Sequence, residues 1–148
     1  MDKVAVDAVT QVIYTSTAVA PFSKLELKEL LVRARAHNHP LGISGMLVYD
    51  DGFFVQVMEG PAQEVNPLFE KIGRDPRHCS MRLLLRHELA RKEFEDWSMG
   101  FVDTSTLTAR TEGFIPYSTL RRTVQDETRA KTVIKMFQGG LWRHDANR

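Results

Sequence analysis

Hydrophobic residues recur along the chain with two different periods, and each period predicts one kind of element. Short runs rich in β-branched and aromatic residues predict five strands, at 10–17, 43–49, 53–58, 81–89 and 97–103. The second and third strands are separated by Asp50-Asp51-Gly52, a sequence that predicts a tight hairpin.

Spacings of three and four residues predict helices between these strands. Ser23 and Glu26 have the spacing of a capping box, which predicts a helix ending near His37, with Leu27, Leu30, Leu31 and Ala34 inward. A second helix is predicted before Gly73. It either passes through Pro67 or begins there, because an internal proline removes a backbone hydrogen bond.

The tail from residue 104 has a different character. A hydrophobic stripe there predicts an amphipathic helix, and a shorter helix is predicted before it at 117–124; the stripe consists of Ala130, Val133, Ile134 and Phe137. The strands are apolar on both faces, as in "MLVY", "FFV" and "LLL", whereas the helices of a βαββαβ unit cover one face. We therefore predict an α+β fold, βαββαββ, whose C-terminal helices (104–148) cover the second face of the sheet.

Composition narrows the class of protein. The 148 residues carry a net charge of +1 without a basic stripe, which disfavours direct nucleic-acid binding. No run is long and apolar enough for a membrane span. One cysteine, Cys79, excludes an intramolecular disulfide, and no signal peptide is apparent. These features predict a cytoplasmic protein.

One polar side chain interrupts the third strand. Gln56 lies between Phe54 and Met58 on the same face, and an unpaired buried amide costs about 1–3 kcal/mol. Tyr14, in the middle of the first strand, is its natural partner, because a phenol both donates and accepts hydrogen bonds. The pair either satisfies itself in the core or faces a bound heterocycle, and both interpretations stay open at this point.

Other candidates have ordinary interpretations when taken singly. Asn38 suits a helix end, "RDPRH" (74–78) suits a turn, and Trp97 with Met99 suits core packing. His37 and His39 lack a third ligand at useful spacing, so no metal site is predicted.

Five short motifs nevertheless occur in one order between residues 10 and 103. They are Tyr14 in "IYTS", Asn38 before "GISG", Gln56 in "FFVQVMEG", "DPRH" at 75–78, and "WSM" at 97–99. Each is weak alone, but the set at this spacing resembles the BLUF domains, which are blue-light sensors that use FAD. The tail looks like the helical cap of short, single-domain members.

The resemblance implies a ferredoxin-like flavin-binding domain at 1–103, with the isoalloxazine ring of FAD held between the two helices. Tyr14 and Gln56 would lie beside the flavin N5 and O4 atoms, and Asn38 at the pyrimidine edge. Lys71 would reach the ribityl–phosphate chain. The other implied cofactor-binding residues are His37, Phe54, Asp75, Arg77 and His78.

The resemblance also implies a photochemical mechanism. Tyr14 would lose an electron to the photoexcited flavin, with its proton following through Gln56, and Gln56 would then rotate or tautomerise. A stronger hydrogen bond to O4 would move the absorption band to the red. Trp97 and Met99 would relay the change to the sheet.

No output domain follows in this sequence. We therefore expect light to regulate an effector protein or a homo-oligomer, with no catalytic turnover and no direct contact with nucleic acid or membrane. Two alternatives on the same fold are an acylphosphatase-like hydrolase and a light-independent small-ligand module. The first is disfavoured because the loop "TAVAPF" (17–22) lacks both glycine and arginine.

Overall fold

The computed structural model describes residues 8–94, 100–103 and 126–136. The strands and helices follow one another in the predicted order, βαββαββ and then a helix, with bounds close to the predicted ones. The elements are β1 Val9–Ala18, α1 Lys24–Asn38, a 3-10 turn His39–Leu41, β2 Ser44–Asp50, β3 Phe53–Gly60, α2 Ala62–Gly73, β4 His78–Leu89, β5 Gly100–Asp103 and α3 Glu127–Met136. Several sequence predictions lie outside the described residues: Trp97, Met99, Phe137 and the helix at 117–124. No helix in the described ranges is long and apolar enough to cross a membrane.

The strands form one sheet in the order β4-β1-β3-β2-β5. The first four are antiparallel neighbours, and β5 is parallel to β2. The order of those four is that of a ferredoxin-like fold, so the predicted fold class is confirmed. β1 and β3 lie side by side at the centre, and their register sets Tyr14 opposite Gln56.

The predicted capping box is present at the start of α1. The Ser23 hydroxyl accepts a hydrogen bond from the Glu26 amide at 3.1 Å, and the Glu26 carboxylate accepts one from the Ser23 amide at 2.8 Å. Two backbone donors that would otherwise lack partners are thereby satisfied. The helix buries Leu27 against the sheet, so its orientation over β1 and β3 is fixed.

The predicted hairpin between β2 and β3 has a two-residue loop. Asp51 and Gly52 both have positive φ angles, of 43° and 88°. Two positive φ angles characterise the type I′ turn, whose twist matches that of antiparallel strands. The turn sets the register in which Leu47 lies opposite Gln56.

The α2 helix runs through Pro67, so the first of the two predicted alternatives is confirmed and the one in which the helix begins at this proline is wrong. Pro61 precedes the first turn, and Val65 is completely buried one turn later. An internal proline costs about 3 kcal/mol. Packing of Val65 with Leu68, Phe69 and Ile72 against the sheet outweighs that cost, because tertiary contacts supply most helix stability in proteins.

Two hydrophobic cores lie on opposite faces of the sheet. Tyr14, Phe54 and Met58 belong to the core under α1 and α2. Val55 and Val57 belong to the other core, where α3 contributes the fully buried Ala130 and Ile134. The predicted cover of the second face is thus confirmed for α3, whereas Val133 and Phe137 are outside the side chains that the structure describes.

Candidate functional site

A cavity of about 650 Å³ opens between α1 and α2 above the sheet. Its floor is formed by β1 and β3, its walls by the two helices, and one end by the 74–78 segment. All nine cofactor-binding residues predicted from the resemblance line this one cavity: Tyr14, His37, Asn38, Phe54, Gln56, Lys71, Asp75, Arg77 and His78. Side chains distributed over 65 positions of sequence therefore converge on one space.

Tyr14 and Gln56 are cross-strand partners on the cavity floor. The Tyr14 hydroxyl donates a hydrogen bond to Gln56 Oε1. The two side chains are only 3% and 6% exposed, yet both border the cavity. The two interpretations of the sequence are thus compatible, because the pair satisfies itself and also faces the space for a ligand.

Burial fixes the protonation state of this phenol. Desolvation raises the pKa of Tyr14 far above its usual value, and the Asp75 carboxylate raises it further. The phenol is therefore neutral in the folded protein at any physiological pH. It therefore acts as the hydrogen-bond donor to Gln56.

The α1 wall of the cavity ends in a buried amide. Asn38 is 3% exposed, and its main-chain oxygen accepts a hydrogen bond from Ile43 at 3.0 Å. His37 Nδ1 lies 3.1 Å from Asn38 Oδ1 and donates to it, since that oxygen can only accept. The exposed His37 therefore orients the side chain of Asn38.

An ion pair holds the 74–78 segment at the end of the cavity. The Arg77 guanidinium donates to both carboxylate oxygens of Asp75, at 2.7–3.1 Å, and the Arg77 amide donates to Oδ1 at 2.9 Å. The side-chain hydrogen bonds from Arg77 lower the pKa of Asp75, although partial burial opposes them. Asp75 is consequently ionised, and its charge borders the same cavity as Tyr14.

His78 begins β4, three residues earlier than the strand was predicted to begin. Its Nε2 lies 2.6 Å from the main-chain oxygen of Ile72, so this nitrogen carries a proton. Its Nδ1 lies 2.8 Å from the Ser16 hydroxyl. The ring is thus fixed between α2 and β1.

Aromatic and cationic groups complete the cavity lining. Phe54 makes an edge contact with Phe22, at 5.3 Å between ring centres, and Arg77 lies over the Phe22 ring at 5.7 Å. Arg33 and Arg74 join the predicted Lys71 among the cationic residues that line the cavity.

Several lining residues were not predicted from the sequence: Ser16, Phe22, Arg33, Arg74 and Pro76. Two of them had a usable signal. Ser16 lies two positions after Tyr14 and so shares its face of β1, and Arg33 lies one turn before His37 on α1. Phe22 had no such signal, because it follows a loop whose path the sequence does not specify. No group of side chains suitable for a metal occurs within 8–94, 100–103 and 126–136.

Comparison with known families gives a direct match. The profile of the family described as "BLUF: Sensors of blue-light using FAD" matches residues 9–100, which is more than half of the chain. The match begins with β1 and ends at the first residue of β5. It therefore includes all nine of the residues named above that line the cavity.

Two characterised relatives share part of this sequence. Photoactivated adenylate cyclase subunit beta of Euglena longa is 41% identical over 72 residues, covering 49% of this chain and 8% of the relative. Blue light- and temperature-regulated antirepressor BluF of Escherichia coli (strain K12) is 32% identical over 65 residues, covering 44% of this chain and 16% of the relative. The chain thus spans less than a fifth of the length of either relative.

A solved structure resembles the chain over most of its length. The dark-state structure of BlrB, a BLUF protein, has a TM-score of 0.75 and 25% sequence identity. The alignment covers 89% of this chain and 96% of BlrB.

Proposed function

The chain belongs to the BLUF family of blue-light sensors that use FAD, and we propose that the cavity between α1 and α2 holds the isoalloxazine ring while Tyr14 and Gln56 carry the photochemistry. The observation that carries this proposal is the buried Tyr14–Gln56 hydrogen bond on the cavity floor. An oxidisable phenol and an amide that both donates and accepts are placed together at the edge of a ligand-sized space.

The cavity suits a flavin in size and in chemistry. Its volume of about 650 Å³ lies within the range of small-molecule sites. Phe54 and Leu47 offer apolar surface, whereas Asn38 and Gln56 supply amide groups able to pair with a heterocycle edge. These features support FAD as the ligand.

Each lining residue has a proposed part in holding the flavin. Asn38, oriented by His37, would pair with the pyrimidine edge, and Phe54 would pack against the ring. Lys71 would neutralise phosphate charge, because it lines the cavity yet stays exposed. Asp75, Arg77 and His78 would form the polar end of the site.

The bound flavin supplies absorption of blue light and, once excited, oxidising power. Tyr14 would give up one electron to that excited flavin, and its hydroxyl proton would move to Gln56 Oε1, the atom that it already contacts. The Gln56 amide would then change its orientation or tautomer as the electron and the proton both return to Tyr14. The floor of the cavity is left with a different hydrogen-bond pattern, and that pattern is the signal.

The output proposed is a light-switched interaction with an effector protein or with further copies of the chain. The name of the antirepressor relative supports a protein effector, since an antirepressor acts on another protein. We propose a sensor rather than an enzyme, acting in the cytoplasm without direct contact with nucleic acid or membrane. Trp97 and Met99, outside the described residues, stay the proposed relay to the sheet, and 104–148 the proposed cap on the 1–103 domain.

The spectrum of the purified protein tests this function. We expect a yellow protein whose flavin absorption band moves reversibly to the red under blue light without bleaching. A colourless protein that cannot be reconstituted with FAD would contradict the proposal, as would a flavin band that light leaves in place.

Replacing the phenol tests the role of Tyr14. In Tyr14→Phe we expect FAD to remain bound, because the ring packing with Phe69 survives, while the red shift is abolished because the electron and proton donor is gone. Absorption spectra before and after illumination measure the effect. Tyr49→Phe is the matched control: its hydroxyl accepts from the Phe22 amide at 3.0 Å, away from Gln56, and it should keep the shift. A full red shift in Tyr14→Phe would remove the phenol from the mechanism.

A further inference from the structure

A second buried polar cluster lies outside the cavity, on the opposite face of β1 and β3. Its centre is Glu59, which is fully buried, as is Gln11 opposite it. Gln11 Nε2 donates to Glu59 Oε2 at 2.6 Å, and the main-chain amides of Glu93 and Phe94 donate to the same carboxylate at 2.8–3.1 Å. We call Gln11, Glu59 and Glu93, with the main-chain amide of Phe94, the Glu59 cluster.

The cluster lies on the same two strands as the photochemical pair. Tyr14 pairs with Gln56 and Gln11 pairs with Glu59 in one register, three positions apart. Because that separation is odd, the two pairs point to opposite faces of the sheet. Since both pairs join the same two strands, a movement of β3 relative to β1 that starts at Gln56 would also displace Glu59 relative to Gln11.

The cluster also reaches the C-terminal helix. Glu93 Oε1 accepts from Gln11 at 3.1 Å and lies 3.4 Å from Lys131 Nζ and 3.9 Å from Lys135 Nζ, both on α3. Phe94, whose amide is bound to Glu59, packs in the same core as Ala130 and Ile134. The 93–94 segment is consequently held between Glu59 on one side and α3 on the other.

Such a cluster is sensitive to small displacements. Hydrogen bonds weaken steeply as their distance and angle depart from the optimum, and a buried carboxylate depends on all its donors. Desolvation acts to raise the pKa of Glu93, but the hydrogen bond from Gln11 and the charges of Lys131 and Lys135 outweigh it. The carboxylate that faces α3 is thus ionised and attracts both lysines.

We propose that Glu59 transmits the light-induced change at Gln56 to α3, so that the helix is held more tightly against the sheet in the dark than in the light. The inference rests on the proposed photochemistry and adds the route by which the structural change at Gln56 is transmitted out of the cavity. In the dark the cluster is satisfied by every donor described above. A shift of β3 lengthens some of these bonds and frees the 93–94 segment, which loosens its contacts to Lys131, Lys135 and the α3 core residues.

Hydrogen exchange of the 127–136 segment in the full chain with FAD, dark and illuminated, tests the proposal. In the unaltered protein, light should raise amide exchange in α3 by about fivefold, the loss of roughly one net hydrogen bond. In Glu59→Gln, whose amide NH2 must face either Gln11 Nε2 or the main-chain donors of Glu93 and Phe94, exchange should already be high in the dark and should not change with light. Glu88→Gln, an exposed carboxylate on β4, should behave as the unaltered protein does.

The flavin spectrum of the same samples distinguishes a failure of the route through Glu59 from a failure of the photochemistry. Glu59→Gln should keep the red shift, since it does not line the cavity. A red shift with no light-dependent exchange in the unaltered protein would overturn the route through Glu59 and leave the photochemistry standing. A normal light-dependent increase of α3 exchange in Glu59→Gln would also overturn the route through Glu59 and leave the photochemistry standing. Absence of the red shift in the unaltered protein would overturn both the route and the photochemistry.

A second variant covers the case in which Glu59→Gln does not fold. Glu93→Gln leaves the Glu59 carboxylate and its main-chain donors in place, and removes the charge that attracts Lys131 and Lys135. It should raise dark exchange in α3 and reduce the light-dependent increase. If α3 exchange in Glu93→Gln equalled that of the unaltered protein both in the dark and in the light, the Glu59 cluster would be excluded as the connection between Gln56 and α3.

Discussion

Gln56→Leu should keep FAD and lose the red shift completely. Leucine fills a similar volume between Phe54 and Met58, so the floor of the cavity keeps its shape. It has no group that can accept the Tyr14 proton or rearrange afterwards. Absorption spectra taken in the dark and under blue light measure the result.

The same substitution should also lower stability. Tyr14 is almost completely buried and would lose the acceptor of its hydroxyl, which costs about 1–3 kcal/mol in the free energy of unfolding. Gln63→Leu, an exposed glutamine on α2, is the control and should change neither stability nor the red shift. An unaltered red shift in Gln56→Leu would refute the mechanism, because the mechanism requires the Gln56 amide to accept the Tyr14 proton and then to rearrange.

Gly45→Ala should destabilise the fold by about 3–5 kcal/mol, the size of the most damaging single substitutions. Gly45 has a φ angle of 153° and lies opposite Met58 in the β2–β3 pair. A β-carbon at this position would overlap the main-chain oxygen of Val57 and lie 2.9 Å from its carbonyl carbon. Since those atoms belong to the backbone of a central strand, they cannot move aside without disrupting the sheet.

Gly52→Ala is the matched control for that prediction. Its φ of 88° is also unfavourable for alanine, but an added β-carbon meets nothing within 4 Å. Only backbone strain of about 1 kcal/mol is expected there. Urea unfolding in the dark with saturating FAD measures both, and equal losses in the two variants would show that the close contact with Val57 is not what requires Gly45.

Local signals in the sequence were sufficient for most of the fold. The Ser23–Glu26 capping box and the Asp51-Gly52 turn each depend on a few neighbouring residues, so sequence alone predicts them well. The presence of hydrophobic residues on both faces of β2 and β3 also predicted that a further helix must cover the sheet. Ala130 and Ile134 fulfil that role.

Pro67 shows where local rules fail. The sequence places a proline where a helix loses a hydrogen bond, and the rule favours a later start. The completely buried Val65 lies before the proline, and its packing keeps the first turn helical. The hydrophobic spacing of Val65 with Leu68, Phe69 and Ile72 fits the earlier start, but how tightly Val65 packs depends on distant parts of the chain.

The candidate site shows the same difference between local signals, which the sequence reveals, and contacts between distant residues, which it does not. The family resemblance named nine cofactor-binding residues, seven of them within the quoted motifs, and the fold brings all nine to one cavity; their contacts with FAD are a proposal. Glu59 was missed, because "EGP" resembles an ordinary turn at the end of a strand. Its partners Gln11 and Glu93 lie 48 and 34 positions away. Only the folded sheet brings them together.

The two-residue loop between β2 and β3 has a consequence for how this protein tolerates insertions. Successive side chains of β3 alternate between the cavity under α1 and α2 and the α3 core, so slipping the strand by one position would exchange Gln56 with Val55 or Val57. A loop as short as Asp51-Gly52 has no slack to absorb an added or deleted residue. Length variation among natural or engineered versions should therefore be found elsewhere, while this reversal keeps a constant number of residues and so keeps Gln56 on the cavity face of the sheet.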